Sequence, residues 1–424
     1  MLDIQLIRQQ TDLVSRKLAK KGCNVDFTEF LKLDKERRAL IQKTEELKAL
    51  RNKVSAQIPL MKKNGEDVGQ QLAEMKNVAE EVKRLDADLA RINEKQTTFL
   101  QSLPNLPDDD LVGGGKENNK VISMWGKKPE FDFQPLHHVD IAEKLHLIDY
   151  NRGAKMAGSG SWVYTGDGAL LEWALLNYFV EQHIADGYTM ILPPHMLNYA
   201  SGYTAGQFPK FIDDVYWLDH AEERSNFMLP TAETALVNLY RDEILDEKEL
   251  PKRFFAYTPC YRREAGSYRA EERGMIRGHQ FNKVEMFQYT TKDGSDAAFE
   301  ELVGKACKLV EGLGLHYRLS KLAAGDCSAS MARTYDIEIW IPSMNDYKEI
   351  SSVSNARDYQ ARRGNMRYRD SKTGKIEFVH TLNGSGLATS RVFPAILEQY
   401  QTADGKVRVP EVLQKYLHGK TVLG

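Results

Sequence analysis

The chain has 424 residues, 42% of them hydrophobic and 28% charged, which is enough material for two or three domains. A formal net charge of -2 and a pI near 6.6 exclude a generally basic nucleic-acid coat, so any nucleic-acid site must come from local charge asymmetry. Four scattered cysteines, Cys23, Cys260, Cys307 and Cys327, form no CxxC pair. That speaks against a disulfide framework or zinc finger and for a reducing, cytoplasmic setting.

Residues 3–20 read as a short amphipathic helix, and "MLDIQLIRQQTDLVSRKLAKKG" has the pattern of neither a signal nor a transit peptide. No apolar run approaches the length of about eighteen residues that a membrane span needs, so no membrane partner is expected. A long segment with few turn signals follows. Leu33, Leu40, Leu47, Val54 and Met61 recur every seven residues in its first half. Val68, Met75, Val82 and Leu89 do so in its second half, beside a second row of Leu72, Ala79, Leu85, Ile92 and Phe99. Heptads on both sides of the polar "KKNGED" predict an antiparallel coiled-coil hairpin, with arms about 50 Å long at ~1.5 Å per residue. Residues 27–63 hold ten Lys/Arg against five Asp/Glu, and residues 64–100 five against eight. Two readings stand: solvated faces, or a basic arm that meets a polyanion.

"LPNLPDDDLVGGGKENN" (residues 103–119) reads as a linker. This predicts a division into residues 1–105, a linker at 106–120 and a second domain at 121–424. Beyond the linker, "LLEWALLNYFVEQHIADGYTMILPP" predicts a helix of about fifteen residues and a strand from Tyr188 to Leu192. "RFFAYTPCYRRE", "HQFNKVEMFQYT", "DIEIWIP", "DYKEISSV" and "KIEFVHTL" predict further strands, and consecutive strands indicate an antiparallel sheet. The fold class is therefore α+β: a helical hairpin followed by an antiparallel sheet domain flanked by helices.

Five arginines and four glutamates lie within "RREAGSYRAEERGMIRGHQFNKVE" (262–285). Arginine grips phosphate or carboxylate as a planar fork. Arg262 and Glu264, two apart, are expected on one face of a strand end. Phe281, Lys283, Glu285, Phe287 and Tyr289 share a face of the next strand, where a lysine and a glutamate are out of place by propensity. Either they pair with each other to complete the sheet, or they hold a ligand. "GKT" at 419–421 lacks the glycine of a phosphate loop, "GGGK" at 113–116 lacks its spacing, and the ten histidines show no metal-ligand pattern. Phosphate handling is thus left to arginines and a carboxylate-held cation. "KEISSVSN" offers Glu349 and Ser352 at a strand end as oxygen ligands for Mg²⁺. "TLNGSGLATSRVFPAILEQY" predicts a strand, a tight glycine turn and a helix, with Ser385 at the helix N-terminus and Arg391 in its first turns.

Together, "YRRE", "HQFNKVE", "NGSGLATSR" and the helix ending near Pro194 resemble the three motifs of class II aminoacyl-tRNA synthetases. "LPTAETALVNLY", "EAGS", "RGHQFNKVE", "EISSVSNARDYQARR" and "TLNGSGLA", with the N-terminal hairpin, resemble the bacterial type of the seryl-tRNA synthetase family over essentially the whole chain. The resemblance implies an arm that grips serine tRNA, with selenocysteine tRNA open as a second acceptor, and a homodimer with the Pro194 segment near its interface. It implies seryl-adenylate formation from serine and ATP, then transfer of the seryl group to the tRNA. Arg262 and Arg391 would be catalytic. Arg262, Arg263, Glu264, Glu349, Ile350, Ser351, Ser352 and Arg391 would hold ATP, and Glu349 and Ser352 its Mg²⁺. Thr231, Ala232, Glu233, Glu285 and Ser385 would surround serine, and the 265–278 loop would meet the tRNA acceptor end. Three positions depart from the family pattern: "RAEE" at 269–272 in place of "GRDT", Val353 where cysteine is common, and Ser390 where glycine is usual. They leave tRNA preference and inhibitor sensitivity open. A relative that loads a carrier protein would lack the hairpin, and a non-enzymatic RNA-binding or scaffolding protein would be expected to have lost Arg262, Glu285 or Arg391.

Overall fold

The computed structural model describes residues 1–219, 224–264 and 274–424. Two compact units are formed, one by residues 2–16 and 23–103, the other by residues 1, 17–22 and 104–424.

The hairpin unit begins with α1 (Ile4–Gln9), and α2 (Thr11–Lys20) follows it in the chain. One helix was expected over 3–20. The chain breaks at Gln10, which leaves helical geometry to cap α1 at its C-terminus, while Asp3 caps its start by accepting from the Gln5 N–H. α3 (Thr28–Lys63) and α4 (Gly69–Ser102) are the two arms, and the polar tip turns through Gly65 at φ 79°. The first predicted row is partly buried: Leu40, Leu47, Val54 and Met61 are neither fully exposed nor fully covered. The second row differs. Leu72 and Ala79 are exposed, while Gln71 and Val78 share the seam with Leu85 and Ile92. The physical reason is spacing: 71, 78, 85 and 92 are seven apart, whereas Ala79 to Leu85 is six.

The second unit is organised by an eight-stranded sheet. Its strands are β1 (Lys120–Trp125), β2 (Thr189–Met190), β3 (Lys252–Tyr261), β4 (Gln280–Thr290), β5 (Tyr317–Lys321), β6 (Arg333–Ile341), β7 (Asp346–Arg357) and β8 (His380–Ala388). Their order is β1-β5-β6-β7-β8-β4-β3-β2. All pairings are antiparallel except the short edge pair β2–β3. Of the helices in this unit, α5 (Gly166–Ala185), α7 (Ser295–Gly312) and α8 (Thr389–Gln399) share one core with the sheet, through residues such as Phe179, Phe299 and Phe393, while α6 (Ala232–Leu236) packs in a second, smaller cluster.

α5 runs for 20 residues, longer than expected, because Gly168 does not break it. A Cβ there would lie 2.0 Å from the Leu147 carbonyl, so the glycine serves a close approach. Of the glycines of "NGSG", Gly386 has the same explanation, and the expected turn is absent. β8 runs on through them to Ala388, its pairing with β4 shifting between Ser385 and Ala388, and a Cβ on Gly386 would sit 2.2 Å from His183 Nε2 on α5. Ser385 is therefore a strand residue opposite Glu285, and Arg391 is the third residue of α8.

Candidate active site

β3, β4, β8 and β7 lie side by side, and their polar residues line a cleft of about 310 Å³. Phe281, Lys283 and Glu285 alternate along β4 and face it, as period two requires. Beyond them Phe287 and Tyr289 continue the same face into an apolar cluster. Lys283 and Glu285 do pair, with Nζ to Oε2 at 2.5 Å, and both side chains are more than nine-tenths buried. Lys283 Nζ also donates to Thr231 Oγ1 at 2.8 Å, and Ser385 Oγ approaches Glu285 Oε2 at 3.5 Å. A buried ion pair gains little stability over well-packed apolar residues. One that still borders a cleft is better suited to holding a polar ligand.

Thr231 caps α6 by accepting from the Glu233 N–H, and buried Ala232 is the helix's first residue. Glu233 lines the cleft, with Gln360 Nε2 donating to its Oε1 at 2.7 Å. Gln360 is itself fixed by Thr381 Oγ1, which donates to its Oε1 at 2.7 Å. Burial, and secondarily the charge of Glu285, push the Glu233 pKa up to about 7.

At the other end of the cleft two arginines converge. Arg262 Nε donates to the Pro230 carbonyl at 3.1 Å, and its guanidinium lies 5.2 Å from the Phe281 ring centroid. Arg391 donates to the carbonyls of Ile276 (2.6 Å) and Glu349 (2.9 Å). Glu264 lines the cleft with Arg262, but for a different reason from the one expected. β3 ends at Tyr261, and Glu264 has φ 50°, so the strand period no longer governs it. Its carboxylate is set by Arg277, 2.6 Å away. Arg263 points elsewhere: it is exposed and donates to the Asp213 carbonyl at 3.3 Å.

Glu349 and Ser352 are inside β7 rather than at its end. Residues three apart on a regular strand face opposite sides. Here the pairing of β7 with β6 shifts by one residue, so that Glu349 faces Glu338 and Ser351 faces Ile337, leaving Ile350 as the extra residue. This bulge turns Glu349 and Ser352 to the same side, where Ser352 Oγ donates to Glu349 Oε1 (3.1 Å) and to Asp336 Oδ1 (2.6 Å). Ile350 borders the cleft while its side chain is 2% exposed. Ser351 is buried, its Oγ donating to the Ser385 carbonyl at 2.7 Å. Burial and the nearby Glu349 charge hold the Asp336 carboxyl well above its usual range. Two carboxylates and a hydroxyl form a hard-oxygen set that fits Mg²⁺.

Sequence reasoning missed Asp336, Arg277, Gln360 and Glu172. Asp336 carried a signal in hindsight, as a charged residue in the β-branched run "TYDIEIW". Glu172 carried none. It is buried in α5 and accepts from Asn282 Nδ2 (2.7 Å) on β4 and from Thr389 Oγ1 (2.6 Å) at the start of α8. One carboxyl thus ties together the elements that bear Lys283 and Arg391, and its burial raises its pKa. The "RAEE" stretch at 269–272 and most of the expected acceptor loop lie outside the described residues.

Comparison with known proteins agrees over both units. Residues 1–107 match the seryl-tRNA synthetase N-terminal domain, and residues 216–400 match the tRNA synthetase class II core domain (G, H, P, S and T). Serine–tRNA ligase 2 of Clostridium acetobutylicum is 63% identical over 420 residues, covering 98% of this chain and 99% of the relative. The crystal structure of seryl-tRNA synthetase from Pyrococcus horikoshii complexed with ATP superposes with a TM-score of 0.91 at 33% identity, over 100% of this chain and 99% of that one. A cytoplasmic serine–tRNA ligase from Naegleria fowleri in complex with AMP gives 0.88 at 27% identity, over 100% and 98%. With its N-terminal hairpin, its antiparallel sheet and its arginine-lined cleft, the chain belongs to the seryl-tRNA synthetases of class II.

Proposed function

We propose that this protein is a serine–tRNA ligase that makes seryl-adenylate in the cleft and passes the seryl group to the 3′ end of serine tRNA. The observation that carries this reading is the convergence, in one cleft, of Arg262 and Arg391 with an oxygen set at one end and the Thr231–Glu233–Glu285–Ser385 cluster at the other. The first end suits a nucleoside triphosphate and the second a small amino acid with an ammonium and a hydroxyl.

Activation joins a serine carboxylate oxygen to the α-phosphorus of ATP and breaks the bond to the β-phosphate oxygen, releasing pyrophosphate. Alignment of the two substrates and neutralisation of charge supply most of what such a step needs. Arg262 meets the α-phosphate as charge develops there, and Arg391 meets the terminal phosphates and stacks on the adenine. Glu264 and the backbone of Ile350 complete the ATP contacts, whereas Arg263 and Ser351 lie outside the cleft lining. Glu349 and Ser352, joined by Asp336, would hold Mg²⁺, which neutralises phosphate charge when bound. Glu233 and Glu285, with Thr231, Ala232 and Ser385, enclose serine.

The domain at 1–105 serves tRNA through its arm, and the 265–278 loop meets the acceptor end. Selenocysteine tRNA remains a second acceptor to test. Homodimer formation is supported by exposed apolar residues in the segment that runs from edge strand β2 past Pro194: Met190, Leu192 and Met196 are 38%, 75% and 69% exposed. No described helix is long and apolar enough to cross a membrane, in keeping with a cytoplasmic enzyme. The direct test is charging of total tRNA with labelled serine in the presence of ATP and Mg²⁺. Label in acid-precipitable, base-labile form is expected, and its absence at micromolar enzyme would refute the reading.

A further inference from the structure

Between β5 and β6 the chain crosses the cleft without forming a strand, and Ser328, Ser330 and Met331 line the cleft as one of its walls. A wall made of irregular backbone has no ladder to satisfy its carbonyls, so other donors must fix it. In residues 328–332 every carbonyl accepts a hydrogen bond from one of two short segments. Lys21 Nζ donates to the Ser328 and Met331 carbonyls at 3.0 and 2.6 Å. The Asn105 backbone N–H donates to Ala329 at 2.7 Å and its side-chain amide to Ser330 at 2.9 Å. The Asp108 N–H donates to Ala332 at 3.0 Å.

These donors are anchored. Asn105 is 5% exposed and its amide also donates to the Ala356 carbonyl at 2.8 Å. The Asp108 carboxylate receives Arg333 Nε at 2.8 Å and Arg357 Nη2 at 2.7 Å, from the ends of β6 and β7. Burial draws the Lys21 pKa down to about 8, so this lysine is kept here at an electrostatic cost, with carbonyls as its described hydrogen-bond partners. In the chain, residues 17–22 and 104–112 are the two points at which the hairpin, residues 23–103, joins the second unit. What reads in sequence as a linker is a brace.

We propose that Lys21 and Asn105 are positioning residues for amino-acid activation, in that the two roots of the hairpin set the cleft wall at Ser328–Met331. The inference rests on the reading of the cleft as the site of serine activation and adds the residues that hold one side of it in place. A displacement of about 1 Å in a wall that frames two substrates can cost ~10²-fold in rate.

The test uses full-length protein in serine-dependent exchange of pyrophosphate into ATP, with Tm measured alongside. Lys21→Met and Asn105→Ala are each expected to raise the serine KM about tenfold or more, in line with a misplaced binding wall, with a smaller change in kcat. Lys21→Arg keeps donors within reach of both carbonyls and is expected to stay within about threefold of wild type, less than the loss of one hydrogen bond to a charged group. Unchanged KM in both disruptive variants would overturn the proposal. So would a fall in kcat that follows a fall in Tm while KM stays constant, because that is the mark of a merely structural role. Wild-type protein without serine-dependent exchange would instead defeat the functional reading, which keeps the two failures distinguishable.

Discussion

In the hairpin, the buried polar residues Thr44 and Gln96 interrupt a seam otherwise closed by Val82, Leu85 and Ile92; in the sheet, Lys283 and Glu285 are buried side by side at the edge of a cleft. Most of the hairpin's charged residues are exposed; the exception is Asp34 of α3, 1% exposed, which accepts from Arg8 and Arg38. Lys43 and Lys48 of α3 pair with Glu81 and Asp86 of α4 at 3.1 and 3.0 Å, and exposed pairs of this kind contribute little to stability. Arg37 and Arg38 are engaged by Asn93 and Asp34, which leaves basic residues such as Arg51, Lys53, Lys62 and Lys63 to meet a polyanion. The hairpin is thus a nearly one-dimensional repeat whose function is written on its surface. The sheet is a three-dimensional arrangement whose function is written in charges that would be faults in a structure built for stability alone.

The largest expected effect tests whether the buried carboxylate serves a ligand. If Glu285 accepts a hydrogen bond from the serine hydroxyl, Glu285→Ala loses most serine activation while activating alanine no worse than wild type. Discrimination that rests on a paired hydroxyl can reach ~10⁴–10⁵ in kcat/KM. Glu285→Gln, which keeps shape and one acceptor, is expected to retain more. Equal losses for serine, threonine and alanine would assign Glu285 to the shared ammonium or to pocket shape. Next in size, Arg262→Ala should lower exchange by ~10²–10³, the usual loss for one charge-stabilising donor, with Tm nearly unchanged. Activity within threefold of wild type, well inside that range, would remove Arg262 from catalysis.

How far each region could be read from sequence follows from the same contrast. Heptads located α3, α4 and their polar tip, because a helix pair needs only a period. The seam's second row was misplaced by one residue at Leu72 and Ala79, where small and polar residues blur the pattern. In the sheet, β2, β3, β4, β6, β7, the start of β8 and the polar face of β4 were legible, while β1 and β5 were not, and the arginine-rich segment marked the cleft. The bulge at Ile350, which brings Glu349 and Ser352 together, was not, since a bulge is a property of two paired strands and leaves no period in either. Nor was Glu172, a polar residue in an apolar helix whose partners, Asn282 and Thr389, are more than a hundred residues away. The resemblance supplied the family and the residue roles. It gave no hint that the segment at 104–112 braces the cleft.

Removing the hairpin separates the two regions directly. A protein lacking residues 30–100 retains both roots, so serine-dependent exchange should persist while tRNA charging is lost. Near-normal charging by the truncated protein would deny the arm its role. In the intact enzyme, tRNA affinity should fall roughly tenfold to a hundredfold between 50 and 200 mM salt if the basic arm displaces a few phosphate counterions. A flat response would favour solvated faces.

The smallest effect concerns pH. Glu233 is protonated below a pKa of about 7, and a neutral acid is a poorer partner for the serine ammonium. Serine kcat/KM should therefore decline as pH falls below 7, by no more than ~10-fold per unit. Glu233→Gln should lower activity overall and flatten that limb of the profile. An unchanged inflection in the variant would move the titrating group elsewhere.

The central claim is that the cleft activates serine with ATP. Its most direct measurement is pyrophosphate exchange into ATP with each proteinogenic amino acid in turn, at equal concentration and with Mg²⁺ present. The account predicts exchange with serine, threonine trailing by the ~10–200-fold that exclusion of one methyl group allows, and alanine trailing further. Exchange that is absent with serine, or greater with any other amino acid, would contradict it.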